Sequence, residues 1–554
     1  MAEEKLMKIL SATSFFIFLT CIRSANTLAQ PITKKNIENA EQIIGLDFSN
    51  TERDSMVESL NDQLNNYKKI RELHLKNSIP PAILFNPIPV GFKFPKEQKP
   101  VEFSDYSYVK MPSDKNKLAF YSIGELAELI KTKQITSTEL TKFFIERLKK
   151  YDPSLHCIIT ITERRALQQA KLMDEEIAKG KYRGLLHGIP FGVKDLLATK
   201  DYKTTWGATP FKDQLIPEDA TVVTKLENAG AVLCAKLTMG ALAWGDVWFG
   251  GMTRNPWDTT KGSSGSSAGP ASSVSAGLLP FAIGTETWGS IVSPSTVCGT
   301  TGLRPTFGRV SRTGAMALSW SMDKIGPICR TAEDLAIVFN EVYGEDGIDQ
   351  TLYNIPFNYK PNIEFKNLKI GYLKKDFDKE YDFHLNDSLT LAKIKELGVE
   401  LVPIELPEIP VEDLAFILNA EAAAAFDKLT RSNKDDLLVR QIKNAWPNVL
   451  RSARFIPAVE YINANRIRFL LIREMEKLMR DIDIYIAPSW EGDNLLLTNL
   501  TGHPCVVLPN GFSESGTPTS ITFIGRLFGE GRLIAFAKAY QDATDFHKKH
   551  PDGF

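Results

Sequence analysis

Residues 262–305 read GSSGSSAGPASSVSAGLLPFAIGTETWGSIVSPSTVCGTTGLRP, and the interpretation of this stretch decides the fold. Serine and glycine at such density ordinarily mark a flexible linker. Here patterned apolar segments hem the polar residues in on both sides. Residues 270–276 predict a short helix, with Pro270 in its first turn, where a missing N–H costs nothing, and Gly277 just past its end. Residues 278–283 predict a buried strand. The first Ser-rich loop then leads into a helix N-terminus, and the second, TETWGS, follows the end of a strand. Open α/β sheets place their sites in loops at the carboxyl ends of strands. Free N–H groups at a helix start suit a developing negative charge. The stretch therefore predicts a site for chemistry rather than a tether.

Working outward, helices alternate with short apolar strands. Ser122 with Glu125, and Thr136 with Glu139, form two capping boxes in series. The second opens a helix with Leu140, Phe144 and Leu148 on one stripe, which Asp152-Pro153 should stop. Asp219 is expected to cap a helix running to Ala229; Gly230 ends it, and residues 231–237 form a strand. The same syntax recurs in a helix ending near Gly398 and a strand at 399–406. Residues 484–487 and 505–508 are further buried-strand candidates. The predicted class is α/β: a single large domain with a central mixed β-sheet covered by helices on both faces, and an N-terminal helical extension. Residues 34–76 are polar and helical in pattern, with Leu60, Leu64 and Tyr67 on one face of a solvated arm. Prolines at 80, 81, 87, 89, 95 and 100 then predict an extended crossing segment. The boundaries are drawn as 1–29, 30–115 and 116–548.

Composition bounds the function. Among 554 residues, 66 basic side chains meet 67 acidic ones, leaving a formal charge of -1. That excludes a nucleic-acid binder driven by bulk charge, and no nucleic-acid partner is expected. Six cysteines, with no CxxC among them, make neither a disulfide framework nor a zinc site; no metal is expected. Lys5 and Lys8 precede an apolar run at 9–21, and Thr27 and Ala29 are small. As a helix that run spans about 20 Å against a hydrocarbon core of about 30 Å. It reads as a signal peptide cleaved after Ala29, which predicts a secreted or periplasmic protein with no stable membrane span.

These motifs resemble the amidase signature family. The Gly/Ser-rich block covers residues 262–305, a lysine-bearing element stands upstream as GIPFGVKD at 188–195, and a closing element, NLTGHPCVVLPNGF, occupies 499–512. The resemblance extends over roughly residues 118–545. It implies a Ser–Ser–Lys triad: Lys194 from the VKD element, Ser290 as nucleophile in TETWGS, and Ser266 as the bridging serine, 24 residues before the nucleophile and next to a cis peptide. Ser267 falls where members keep a second serine near the lysine. Backbone N–H groups from Thr287, Trp288, Gly289 and Ser290 are implied as the oxyanion hole. The implied reaction is hydrolysis of a carboxamide C–N bond in a small-molecule or peptide amide, through an acyl-enzyme and without a cofactor. The oligomeric state stays open. Two residues depart from the pattern. Trp288 replaces the usual first glycine of the turn, and Val292 stands where many members carry arginine.

The physical logic agrees. A serine hydroxyl needs a base to become a nucleophile, and lysine serves only when neutral, from a reference pKa near 10.4. Apolar Ile189, Phe191 and Val193 around Lys194 predict the burial that lowers it. Asp195, next in an extended segment, should point to the opposite face. Two rival motifs fit less well. Residues 265–269 also fit GxSxG, the nucleophile elbow of an α/β-hydrolase-like esterase, but NPWDTTKGS before them does not read as a strand. Residues 321–324 fit SxxK without a following KTG and read as a structural turn. The resembled family also includes the amidase subunit of tRNA amidotransferases, an alternative that the export signal and near-neutral charge oppose.

Overall fold

The computed structural model describes residues 31–365 and 368–554; the signal-peptide reading of 1–29 and Cys21 lie outside them. The chain divides into two units, Met1–Leu75 and Lys76–Phe554. The described part of the first is a helix pair. Helix α1 (Lys34–Ile44) and helix α2 (Asn50–Arg71) each open on a capping box, Thr33 with Asn36 and Ser49 with Glu52. Arg53 donates to both carboxylate oxygens of Glu41, at 2.8 and 2.6 Å, and so ties the two helices. No residue of α2 is buried, Leu60, Leu64 and Tyr67 included, in keeping with its polar pattern.

The second unit begins at Lys76, upstream of the boundary expected near residue 115. The proline-rich segment cannot be helical, but it packs instead of hanging free. Phe85 meets Phe307 edge-on at 5.0 Å and lies 3.6 Å beneath the Arg468 guanidinium, while Tyr106 donates to Glu333 at 2.8 Å.

Both predicted capping boxes form, opening α3 (Ile123–Lys131) and α4 (Ser137–Leu155). Helix α4 runs past the expected stop, with Pro153 inside its last turn. The end comes at His156, at φ 49, and the Asp152 carboxylate accepts from the N–H groups of Cys157 and Ile158 beyond it. Then follow β1 (Ile158–Ile161), α5 (Glu163–Ala178), β2 (Pro190–Lys194), α6 (Thr221–Asn228) and β3 (Val232–Leu237). Helix α6 has no side-chain cap. Asp219 instead receives Arg165, at 3.0 and 2.8 Å, and the N–H of Lys200. The ion pair with Arg165 of α5 outcompetes a local cap.

In the decisive stretch, α7 (Ala268–Ser275) starts two residues earlier than predicted and β4 (Phe281–Glu286) three residues later. The N–H of Leu278 closes onto Ser273 O at 2.8 Å, which keeps Leu278 in the helix terminus. Next come α8 (Val292–Cys298), β5 (Thr301–Arg304), β6 (Lys324–Cys329), β7 (Ile370–Leu373), β8 (Leu401–Ile404), β9 (Ile484–Pro488), β10 (Cys505–Phe512) and β11 (Pro518–Gly525). The eleven strands form one sheet in the order β1-β3-β2-β4-β6-β5-β10-β11-β9-β7-β8. Strand β2 is parallel to both neighbours, β7 likewise, and the pairs between β4 and β9 are antiparallel. Strands β2, β3, β4, β5, β6, β9 and β11 are buried at every position, so both faces of this mixed sheet are covered. Residues 258–262, not strand-like in sequence, pair with Arg254–Asn255 in a two-stranded ribbon. That ribbon lies outside the main sheet, so no buried strand leads into residues 265–269. Among the described residues no helix is long and apolar enough to cross a membrane, and the five cysteines are free and buried.

Candidate active site

Two adjacent strands bring the decisive residues together. Lys194 ends β2, whose partner β4 runs parallel to it, and the Ser-rich loop before α7 folds over the carboxyl ends of both. Lys194 is fully buried. Its Nζ lies 2.7 Å from Ser266 Oγ, 3.2 Å from Ser267 Oγ and 2.9 Å from Thr285 Oγ1. Ser266 Oγ lies 2.9 Å from Ser290 Oγ. The sequence interval of 24 thus brings the two hydroxyls into hydrogen-bonding contact, and the Gly265–Ser266 peptide is cis. Ser267 both donates to Thr285 O and accepts from Thr285 N, each at 3.1 Å. A side chain on Gly284 would sit 2.8 Å from Ser267 Oγ, so only glycine permits this approach.

Among the described residues no carboxylate forms an ion pair with Lys194. Asp195 points the other way, as strand alternation requires, and pairs with Lys236 at 3.1 Å while accepting from Thr205. Desolvation lowers Lys194 to about 7, against the opposing charges of Asp323 and Glu286. Ile189, Phe191 and Val193 are buried, and Phe191 stacks on Phe281 at 5.4 Å, but alternation along β2 puts Phe191 and Val193 on the face of Asp195, so they do not line Lys194 as expected. The arrangement can move a proton from Ser290 through Ser266 to a neutral amine.

The turn from Thr287 to Ile291 is held by a group the sequence reading did not single out. Glu286 Oε2 accepts from the N–H groups of Ile291 and Val292 at 2.8 and 3.0 Å. Its Oε1 accepts from Arg304 at 2.7 Å and Asn499 at 2.9 Å. Burial alone would raise this carboxyl, but the Arg304 charge and the N–H donors outweigh it and hold it at about 2. Helix α8 has no side-chain cap of its own, and Glu286 fills that need from the preceding strand. The N–H groups of Trp288, Gly289 and Ser290 reach no protein acceptor among the described residues. Gly289 takes φ 81, and Trp288 keeps 38% of its surface exposed. Val292 is buried.

Thr285, Glu286 and Asp323 are the site residues that sequence reasoning missed. The first two lie inside the quoted block, beside residues that were named. Asp323 lies in the SMDK segment, read as structure alone. That reading holds for its neighbours: Ser321 joins Glu421 and Arg468, and Lys324 donates to Met322 O. His503 is buried against Thr501, and burial pushes it down to about 3. Asn499, part of a glycosylation-like triplet, is buried too. Among the described residues no cluster of three His, Cys, Asp or Glu side chains is placed to hold a metal.

Residues 139–493 match the family described as Amidase. The chain belongs to the amidase family. Amidase-family relatives include the A-type subunit of glutamyl-tRNA(Gln) amidotransferase from Coxiella burnetii (strain RSA 493 / Nine Mile phase I), 34% identical over 480 residues, covering 78% of this chain and 99% of the relative. Native peptide amidase from Stenotrophomonas maltophilia superposes with a TM-score of 0.68 at 27% identity, covering 76% of this chain and 97% of that one. An amidase family protein from Bacillus anthracis str. Ames gives 0.70 at 26% identity, covering 79% and 93%. The expected single amidase-signature α/β domain is therefore the observed one.

Proposed function

We propose that this amidase-family protein cleaves a carboxamide C–N bond through an acyl intermediate on Ser290. The observation that carries the reading is the hydrogen-bonded chain Ser290–Ser266–Lys194, at 2.9 and 2.7 Å, ending on a buried amine with no carboxylate partner among the described residues. Neutral Lys194 takes the Ser266 proton as Ser266 takes that of Ser290. The Ser290 oxygen attacks the carbonyl carbon, and the carbonyl electron pair moves onto oxygen. The N–H groups of Trp288, Gly289 and Ser290 receive that oxyanion, each such donor being worth about 2.7–4 kcal/mol. The C–N bond then breaks, and the proton returns through Ser266 to the leaving nitrogen. Water repeats the sequence in reverse, yielding a carboxylate and regenerating Ser290. Ser267 and Thr285 keep the amine aimed at Ser266. Trp288 lines the acyl pocket and selects apolar acyl groups, a role supported by its exposure beside the nucleophile.

A panel of primary and secondary amides, assayed for released amine, tests the reading. Turnover of at least one, lost in Ser290→Ala with the fold intact, is the expected result; full activity in that variant refutes it. A second reading, an amidotransferase A-type subunit, is favoured by the near full-length relatives at 34% identity. It predicts glutaminase activity that depends on partner subunits. Val292, where many members carry arginine, and the bulk of Trp288 weigh against so small a substrate bearing a carboxylate. Export to the periplasm or medium remains part of the proposal, and N-terminal sequencing of the native protein tests it.

A further inference from the structure

The loop preceding β6 approaches the nucleophile turn from the strand beside β4. Its Leu318–Met322 portion is fixed to the body of the domain. Ser319 Oγ and Ser321 N donate to Glu421 Oε2 at 2.6 and 3.0 Å, Ser321 Oγ donates to Oε1 at 2.7 Å, and Arg468 clamps Ser321 from the other side. Asp323 stands at the end of this loop. Its Oδ2 closes the loop by accepting from Leu318 N and Ser319 N, at 2.8 and 3.0 Å. Its Oδ1 accepts from Thr287 Oγ1 at 2.6 Å. Thr287 is the first residue of the nucleophile turn, and Glu286 grips the far end of the same turn at Ile291 and Val292. Two carboxylates therefore bracket the five residues that carry Ser290.

The two are not equivalent. Glu286 is fully buried and neutralised by Arg304. Asp323 has no ion pair among the described residues; burial pushes its carboxyl up, and the donors Thr287, Leu318 and Ser319 oppose that shift. The cations coupled to it act at a distance: Arg312, whose guanidinium pairs with Asp349, Lys324, whose ammonium donates to Met322 O, and Lys194 itself.

Resting on the proposed role of Lys194 and Ser290, we propose that Asp323 is a positioning residue of this site: its carboxylate holds the oxyanion turn through Thr287 and, having no ion pair among the described residues, sets a negative charge within reach of Lys194. The side chains in contact with Lys194 Nζ are the hydroxyls of Ser266, Ser267 and Thr285; the charges that reach it from beyond them are Asp323 and Glu286, while the Asp195–Lys236 pair occupies the reverse side of β2 and β3. Asp323 acts to raise the affinity of Lys194 for protons, opposing the desolvation that lowers it. Removing its charge without changing its shape should leave Lys194 neutral at lower pH, and cutting the Thr287 tether should slow attack without moving the pH profile.

The test uses the full chain and an alkyl fluorophosphonate probe, reading the rate of Ser290 labelling by mass spectrometry from pH 5 to 9. No knowledge of the substrate is needed. Asp323→Asn is expected to slow labelling at the plateau by tenfold or more and to move the acid limb down by at least half a pH unit. Thr287→Val is expected to slow the plateau with the limb unmoved, and Thr287→Ser, which keeps the hydroxyl, to restore it. An unmoved limb in folded Asp323→Asn overturns the charge role. Wild-type labelling in Thr287→Val overturns the tether, and this holds even where Asp323→Asn does not fold. Failure of the wild-type protein to label at Ser290 sinks the underlying reading instead, so the two failures are distinguishable.

Discussion

Ser266 Oγ stands between two partners, 2.7 Å from Lys194 Nζ and 2.9 Å from Ser290 Oγ, though 72 and 24 residues of chain separate it from them. One hydroxyl touches both ends of the relay, so its loss should be felt as a break and not as a weakening. Ser266→Ala is expected to lower kcat by about three orders of magnitude, and Ser290→Ala by more, within the range seen when one member of a catalytic unit is removed. Because the pair acts as a unit, the double variant should be no slower than Ser290→Ala alone. A double-mutant cycle on any amide that is turned over checks this.

The pH dependence has a definite sign. The proposed mechanism needs neutral Lys194, which desolvation brings to about 7. Below that value the ammonium dominates, and the rate should fall tenfold per pH unit. Above it the rate should level off. A rate that increases only above pH 9 would mean that the lysine keeps its ordinary affinity for protons.

Glu286 is predicted to matter for stability before chemistry. Glu286→Gln retains the shape but leaves Arg304 buried without a counter-charge and gives one N–H acceptor up. Breaking a buried pair from one side costs about 3–5 kcal/mol. Denaturant unfolding should report a loss of that order, with kcat reduced in whatever fraction stays folded.

Gly284 offers a steric test of Ser267. An added Cβ would meet Ser267 Oγ at 2.8 Å. Gly284→Ala should push Ser267 off Thr285 and Lys194, costing about 1–3 kcal/mol in stability. A parallel fall in kcat would show that Ser267 supports the amine; an unchanged kcat would exclude that support.

Trp288 should control which acyl groups are accepted. Trp288→Gly is expected to raise KM for amides of bulky apolar acids by about tenfold while leaving acetamide derivatives nearly unaffected, since lost apolar contact is worth about 1–3 kcal/mol. Equal effects on both would remove Trp288 from the pocket.

Local chemistry was legible wherever the chain decides it alone. The two capping boxes, the strands at β3, β9 and the start of β10, and the alternation that turns Asp195 away from Lys194 all follow from neighbouring residues. Where a distant partner competes, local reading failed. Asp219 was taken by Arg165 and not by its own helix, and the proline-rich segment joined the large unit because Phe85 found Phe307 and Arg468.

The sequence by itself determined most of the elements and the family resemblance, and it singled out Lys194, Ser266 and Ser290 as candidates, because those depend on residue type and spacing. Only the tertiary structure decided that they meet. The proximity of three side chains, the spacing that keeps nearby carboxylates from pairing with the amine, and the grip of Glu286 and Asp323 on the nucleophile turn arise between strands far apart in the chain. Burial and charge act through space, and no local pattern of residues records which distant groups will share it.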